Sequence, residues 1–298
     1  MSEPRRIALV TDIHHGADVG TKGGTQALPL LRRFCAWAEA QRPDLVVDLG
    51  DRINDVERQT DIALTQEVAA VFADLSIPRV HLLGNHEVAK MQPDEAETAI
   101  GQPLSSHSRD LGDLHLVFWN ADVRVLHGPR FEIAEADVAW LAADLAATER
   151  PTVLFSHIPL DDSSMAGNFY FDTVVPGLGH YCNGAVARET IERSGKVFLC
   201  LAGHVHWNRH TAIDGVHYIT IQSLTETFTC HPHVAGAYAL LEIGDDIRLE
   251  VSGHDPFALR LPKKPLGYHW INLERDYAPQ PARLSPNMQK MLAARARR

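Results

Sequence analysis

Seven residues of metal-ligating type stand directly after short apolar runs in this 298-residue chain. Asp12-Ile-His14 follows Ile7 to Val10, Gly50-Asp51 closes the run begun at Leu45, and Gly84-Asn-His-Glu87 closes Arg79 to Leu83. Two later runs end alike, Phe155-Ser-His157 after Thr152 to Leu154 and Gly203-His-Val-His206 after Val197 to Leu201. Asp12, His14, Asp51, Asn85, His157, His204 and His206 together offer the oxygen and nitrogen set that suits divalent transition metals. Seven ligands are too many for one tetrahedral ion. They suit two ions about 3.5 to 4 Å apart that share a bridging carboxylate. No cysteine stands among them, which argues against a structural zinc site and for a catalytic one.

Taken singly, these fragments are weak. An Asp-x-His after a strand is more often a turn and cap than a ligand pair, and Gly-Asp and Gly-Asn-His are ordinary turn sequences. A histidine such as His157 is commonly a hydrogen-bonded core residue. The pair in Gly203-His-Val-His206 is stronger, because residues i and i+2 of an extended segment point to one side. The argument rests on the ordered set of five.

Such a set needs strands to deliver it. The apolar runs Ile7 to Val10, Leu45 to Leu49, Arg79 to Leu83, Leu114 to Trp119, Thr152 to Phe155 and Val197 to Leu201 read as strands, and each of the first three ends in a polar cluster. Leu30, Leu31, Phe34, Cys35 and Ala38 recur at helical spacing between them, as do Val138, Leu141 and Leu145 later. Ligand sites in α/β sheets lie just outside the carboxyl ends of the strands. Further on, Asp214-Gly215 turns a hairpin over Thr211 to Thr220, and a second hairpin pairs Tyr238 to Glu242 with Ile247 to Val251. Strand–helix alternation followed by hairpins predicts an α/β domain of two mixed sheets packed face to face with helices outside.

We read one domain over residues 1–265 and a tail over 266–298. From Tyr277 onward the tail carries Arg283, Lys290, Arg295, Arg297 and Arg298 without an acid, and Leu284, Met288, Met291 and Leu292 form a short apolar stripe. It is expected to dock on a neighbouring subunit of a homo-oligomer. The net charge of −10, from 28 basic and 38 acidic residues, excludes a generally basic nucleic-acid binder, so no duplex binding is expected. No run approaches the roughly 18 apolar residues of a membrane span. Cys35, Cys182, Cys200 and Cys230 form no Cys-x-x-Cys pair and read as free thiols, which predicts a reducing, cytoplasmic setting.

The series Asp-x-His, Gly-Asp, Gly-Asn-His-Glu, His and Gly-His-x-His, spanning Asp12 to His206, resembles the calcineurin-like metallophosphoesterase superfamily. That resemblance implies a four-layer αββα sandwich and two divalent metal ions, manganese, iron or zinc. It implies Asp12, His14, Asp51 and His206 around the first ion and Asp51, Asn85, His157 and His204 around the second, with Asp51 as the bridge. His86 resembles the family's non-ligand catalytic histidine, placed to stabilise the transition state or protonate the leaving oxygen. Many relatives orient it with an Asp three residues after the bridging Asp, where this chain has Asn54; Asp55 is expected to take that role. A phosphodiesterase of small organic diesters, cyclic nucleotides or glycerophosphodiesters, is the favoured activity, through in-line attack by a water activated between the cations. A phosphomonoesterase or nucleotide-pyrophosphate hydrolase is the alternative, and a non-catalytic binding scaffold a remote third. His15, beside the first motif, and Asn168, Tyr170, His180, Tyr181 and Asn183, in the long polar insert after His157, are expected to contact substrate.

Overall fold

Alternate residues of the first strand, β1 (Arg5–Val10), enter different cores. Ile7 and Leu9 face a central apolar cluster while Ala8 and Val10 face an outer one, as the two-residue period of a strand requires. The computed structural model describes residues 3–125, 128, 130–271 and 279–295. In it, β1, β2 (Leu45–Asp48) and β3 (Arg79–His81) run parallel, joined on the other edge of β1 by antiparallel β10 (Tyr238–Ile243), β11 (Asp246–Ser252) and β12 (Phe257–Pro262). The order is β12-β11-β10-β1-β2-β3.

The second sheet comprises β4 (His107–Leu111), β5 (Leu114–Phe118), β6 (Thr152–Phe155), β7 (Val197–Ala202), β8 (Arg209–Ile213) and β9 (Val216–Thr220), in the order β4-β5-β6-β7-β9-β8. Its four central strands are parallel and its edges antiparallel. Ile7, Leu45 and Val47 of the first sheet share a core with Leu116, Val153 and Leu199 of the second, so the sheets pack face to face. Helices α1 (Ala27–Gln41) and α2 (Arg58–Phe72) cover the outer face of the first sheet through Leu31, Phe34, Val68 and Phe72. Helices α3 (Pro93–Ile100), α4 (Glu135–Ala147) and α5 (Ala185–Ser194) cover the second through Ile100, Leu141, Leu145 and Ile191. The result is the expected αββα sandwich of two mixed sheets.

Several elements lacked a legible sequence signal. Strands β4 and β12 are sheet edges, exposed enough to be built from polar and alternating residues rather than apolar runs. Helix α2 buries Asp61 and Thr65 along with Val68 and Phe72, which interrupts its apolar period; Asp61 accepts from Val56 N at 2.8 Å and Thr65 donates to Asp61 O at 2.8 Å. At the end of the chain, Gly267 N donates to Gly195 O at 2.7 Å, and helix α6 (Pro286–Arg295) follows with Leu284 buried and Met288 and Met291 exposed. Tyr277, Arg297 and Arg298, assigned to the tail, lie outside the described residues. No helix among the described residues is long and apolar enough to cross a membrane.

Candidate metal centre and its cavity

All seven candidate ligands sit at the carboxyl ends of five parallel strands, three in one sheet and two in the other. Asp12 and His14 follow β1, Asp51 follows β2, Asn85 follows β3, His157 follows β6, and His204 and His206 follow β7. The chain must turn sharply there to aim these side chains inward. Asp12, His14, Asp51, His204 and His206 all have positive φ, between 47° and 67°. Left-handed backbone outside glycine costs of order 1 kcal/mol or more per residue and survives only where surrounding contacts hold it. Those contacts are present: Asp12 N donates to Gly50 O at 2.9 Å, His14 N to Asp51 O at 3.0 Å, and Gly203 N to His157 O at 3.0 Å. His157 Nδ1 lies 2.8 Å from Leu49 O, tying the second sheet to the first.

The side chains gather into two clusters. Asp12, His14 and His206 form one and Asp51, His157 and His204 the other, with one ligand atom from each residue within 4.8 Å of its partners. Asp51 Oδ2 stands between them, 3.2 Å from His157 Nε2 and 4.0 Å from His14 Nε2. Asn85 Oδ1 joins the second cluster, 3.2 Å from His157 Nε2. Asp12 Oδ1 and His204 Nδ1 are buried without a hydrogen-bond partner, although buried polar atoms are nearly always satisfied. His14 Nε2 also faces His206 Nε2 at 3.0 Å. These unpaired buried atoms and the close approach of two ring nitrogens fit a pair of divalent cations.

The charges are tuned accordingly. Burial pushes the His204 imidazole down to about 3, helped by neighbouring His157, so it is a neutral ring. Burial likewise lowers His14 well below its ordinary value, with Lys22, His86 and His206 adding to the effect. Burial opposes charge on His157 and His206 too, but Asp51 outweighs it for the first, and Asp12 with Glu226 for the second; both rise to about 9. Asp51 is held well below the usual carboxylate range because His157, His86 and His14 overcome the cost of its burial.

Residues around the ligands hold them in place. Glu226 Oε2 lies 2.7 Å from His206 Nδ1, leaving Nε2 toward Asp12, and Thr11 Oγ1 donates to Asp12 Oδ2 at 2.6 Å. Glu87, the last residue of its motif, is fully buried and accepts from Gly84 N at 2.7 Å and Asp51 N at 3.1 Å, fastening two ligand loops together. Arg52 pairs with Asp48 at 2.6 Å and lies 3.5 Å from Glu87, so the loops rest on a buried ionic network. His86 Nδ1 lies 2.6 Å from Asp55 Oδ1, whereas Asn54 Nδ2 donates to Ala17 O at 2.9 Å. His86 N donates to Asp51 Oδ1 at 2.8 Å.

A cavity of about 330 Å³ opens on this centre. Lys22, Asp51, Asn85, His86, His204 and His206 are its charged and strongly polar lining, and Val125, Phe131, Tyr170, Phe171, Val174, Val175 and Leu178 form the rest of its wall. Tyr170 was expected there. The other five expected substrate contacts do not line it. His15 Nε2 pairs with Glu67 on α2 at 2.7 Å. Asn168 is buried, donating to Val205 O at 2.8 Å and accepting from Tyr170 N at 3.0 Å, so it shapes the turn that presents Tyr170. Tyr181 packs in the core against Phe131, and Asn183 ties down the backbone of Ile133 at both N and O. His180 lies off the cavity with its Nε2 buried. Polarity in the insert marked residues that fold it, while its apolar residues face the cavity.

The sequence model of the calcineurin-like phosphoesterase family matches residues 5–208, and the chain belongs to that family. A dimetal phosphatase from Danio rerio shares the fold with a TM-score of 0.72 at 17% identity, over 88% of this chain and 100% of that one. A purple acid phosphatase from yellow lupin seeds superposes with a TM-score of 0.59 at 14% identity, over 87% of this chain and 54% of that one. GAP50, the anchor in the inner membrane complex of Plasmodium, does so at 0.57 and 14% identity, over 89% of this chain and 90% of that one. No curated protein sequence matches the chain. The family implies a phosphoric ester hydrolase, and with the two ligand clusters it points to a binuclear site for divalent cations.

Proposed function

We propose that this protein hydrolyses small organic phosphodiesters, of cyclic-nucleotide or glycerophosphodiester type, with manganese, iron or zinc as its two divalent metals. The observation that carries the reading is the mixed lining of the cavity. Four of the candidate ligands, Asp51, Asn85, His204 and His206, line it together with His86, and its other lining apart from Lys22 is apolar and aromatic, suited to an organic substituent on the phosphate. Its volume is at the small end of ligand sites, which favours a small ester over a polymer.

In this reading Asp12, His14, Asp51 and His206 would hold one cation and Asp51, Asn85, His157 and His204 the other. When bound, the pair would supply Lewis-acid charge to the phosphoryl oxygens and make a water nucleophilic near neutral pH. His86 then acts from the rim: Asp55 fixes its Nδ1, and its other nitrogen faces the centre, 3.9 Å from Asp51 Oδ2, where it can donate a proton to the leaving oxygen. Phe131 and Phe171 pack beside His204, and Tyr170 beside His206, narrowing the access of bulk water to those ligands.

Side-by-side assay of bis(4-nitrophenyl) phosphate and 4-nitrophenyl phosphate on protein loaded with each metal tests this. The diester is expected to have the higher kcat/KM. A markedly faster monoester would replace this reading with a phosphomonoesterase, the second reading, which the two phosphatases sharing the fold favour.

A further inference from the structure

Lys22 lines the cavity, yet neither the ligand clusters nor the His86–Asp55 pair employs it. Its backbone is fixed on several sides. Lys22 N donates to Val19 O at 2.9 Å, Gly23 N to Thr225 O at 2.9 Å, and Lys22 bridges to Glu226. Beside it, Thr21 O accepts from Thr227 Oγ1 at 2.8 Å, and Thr21 Oγ1 lies 2.8 Å from the Tyr170 hydroxyl. The turn is therefore clamped to the loop that orients His206 and to the aromatic wall.

The residue is only 8% exposed, and its Nζ stands 5.8 Å from the centre of the Tyr170 ring. Among the described residues it has no carboxylate in ion-pair range. The ammonium faces the cavity over the Tyr170 ring with no carboxylate partner. A purely structural lysine would be expected to hydrogen-bond one of the acids nearby. The four carboxylates whose fields reach it are Asp51, Glu226, Asp55 and Asp12. Cations held by Asp12 and Asp51 would offset part of that negative field, leaving the ammonium available to an anion in the cavity.

We propose that Lys22 is a substrate-binding residue whose ammonium pairs with a non-bridging oxygen of the substrate phosphate. The proposal rests on the phosphoric ester reading and adds a recognition group to it. A charge-assisted hydrogen bond of this kind is worth about tenfold to hundredfold in affinity.

The test compares metal-loaded wild type with Lys22→Met, Lys22→Gln and Lys22→Arg. It measures metal content per chain, calorimetric affinity for inorganic phosphate, and KM and kcat for bis(4-nitrophenyl) phosphate. The neutral variants are expected to keep both metals and lose about tenfold to hundredfold in phosphate affinity, with a parallel rise in KM, while Lys22→Arg recovers most of the loss. Phosphate affinity within twofold of wild type in a neutral variant overturns the proposal. So does loss of metal or failure to fold in both neutral variants with Lys22→Arg intact, since that marks a structural charge. Wild type that cleaves no ester yet binds phosphate through Lys22 would sink the hydrolase reading and leave this one standing. Wild type that cleaves diesters with no Lys22 dependence would do the reverse.

Discussion

Changing Asp55 to Asn isolates the charge behind His86. The amide fills the same volume and can still accept through its oxygen, so the 2.6 Å contact with His86 Nδ1 is retained in shape while the negative charge goes. Burial opposes that charge only in part; the hydrogen bond to His86 comes first among the influences that keep Asp55 below the usual carboxylate range. A hydrogen bond to an ionised group contributes about 1.5–3 kcal/mol. The two side chains are 24% and 22% exposed, so solvent screens some of this, and about 1.5–2 kcal/mol remains. That corresponds to about tenfold to thirtyfold in kcat/KM. The loss should depend on the leaving group. An alkyl diester, whose alkoxide needs a proton, is expected to show all of it, and a 4-nitrophenyl diester about threefold or less. Stopped assays on both substrates, with metal content measured on the same samples, give the comparison. Equal losses on the two substrates at unchanged metal content would refute proton donation by the His86–Asp55 pair.

Three further outcomes follow from the geometry. Glu226→Gln removes the carboxylate at 2.7 Å from His206 Nδ1 and is expected to weaken metal binding about tenfold to hundredfold; chelator competition reads this, and unchanged affinity would count against an orienting role. In metal-free protein His157 and His206, raised to about 9, carry protons at pH 7 that a metal must displace, so metal affinity is expected to rise with pH toward about 9. Calorimetry in buffers of different ionisation enthalpy should count about two protons released at pH 7, and none would contradict these assignments. Gly203→Ala would drive a methyl group into Thr11 Oγ1 and Asp12 Oδ2, costing about 1–3 kcal/mol of stability along with metal occupancy. A variant with unchanged Tm and full metal content would show that this close approach is not needed.

The histidines show how structure sorts residues of one type. His81 lies 2.9 Å from Asp48 in the ionic network beneath the loops, and His115 sits between Asp110 and Asp144 at 2.9 and 3.0 Å. Neither approaches the cavity. Both rings have carboxylate partners, as His157 and His206 do, but these arise from side chains brought together across strands and helices. Composition alone counts such histidines with the ligands.

The sequence by itself determined the two-sheet architecture and the five polar strand ends. Both are local signals, an apolar run that must be buried followed at once by residues that must turn the chain. Spacing also placed Asp55 next to Asn54, but only the folded loop shows which of them meets His86, because adjacent residues point in different directions. Beyond the metal ligands, His86 and Tyr170, the cavity wall was decided by tertiary structure. Lys22, Phe131 and Phe171 are ordinary residue types from three separate segments of the chain, and nothing in their local pattern separates a cavity wall from a core. Asn168, Tyr181 and Asn183 carry a polar signal but make backbone and core contacts, and His15 pairs with Glu67 on a helix surface. A long insert must satisfy its own buried polar groups before it can present anything to a ligand, and that accounting closes only in three dimensions.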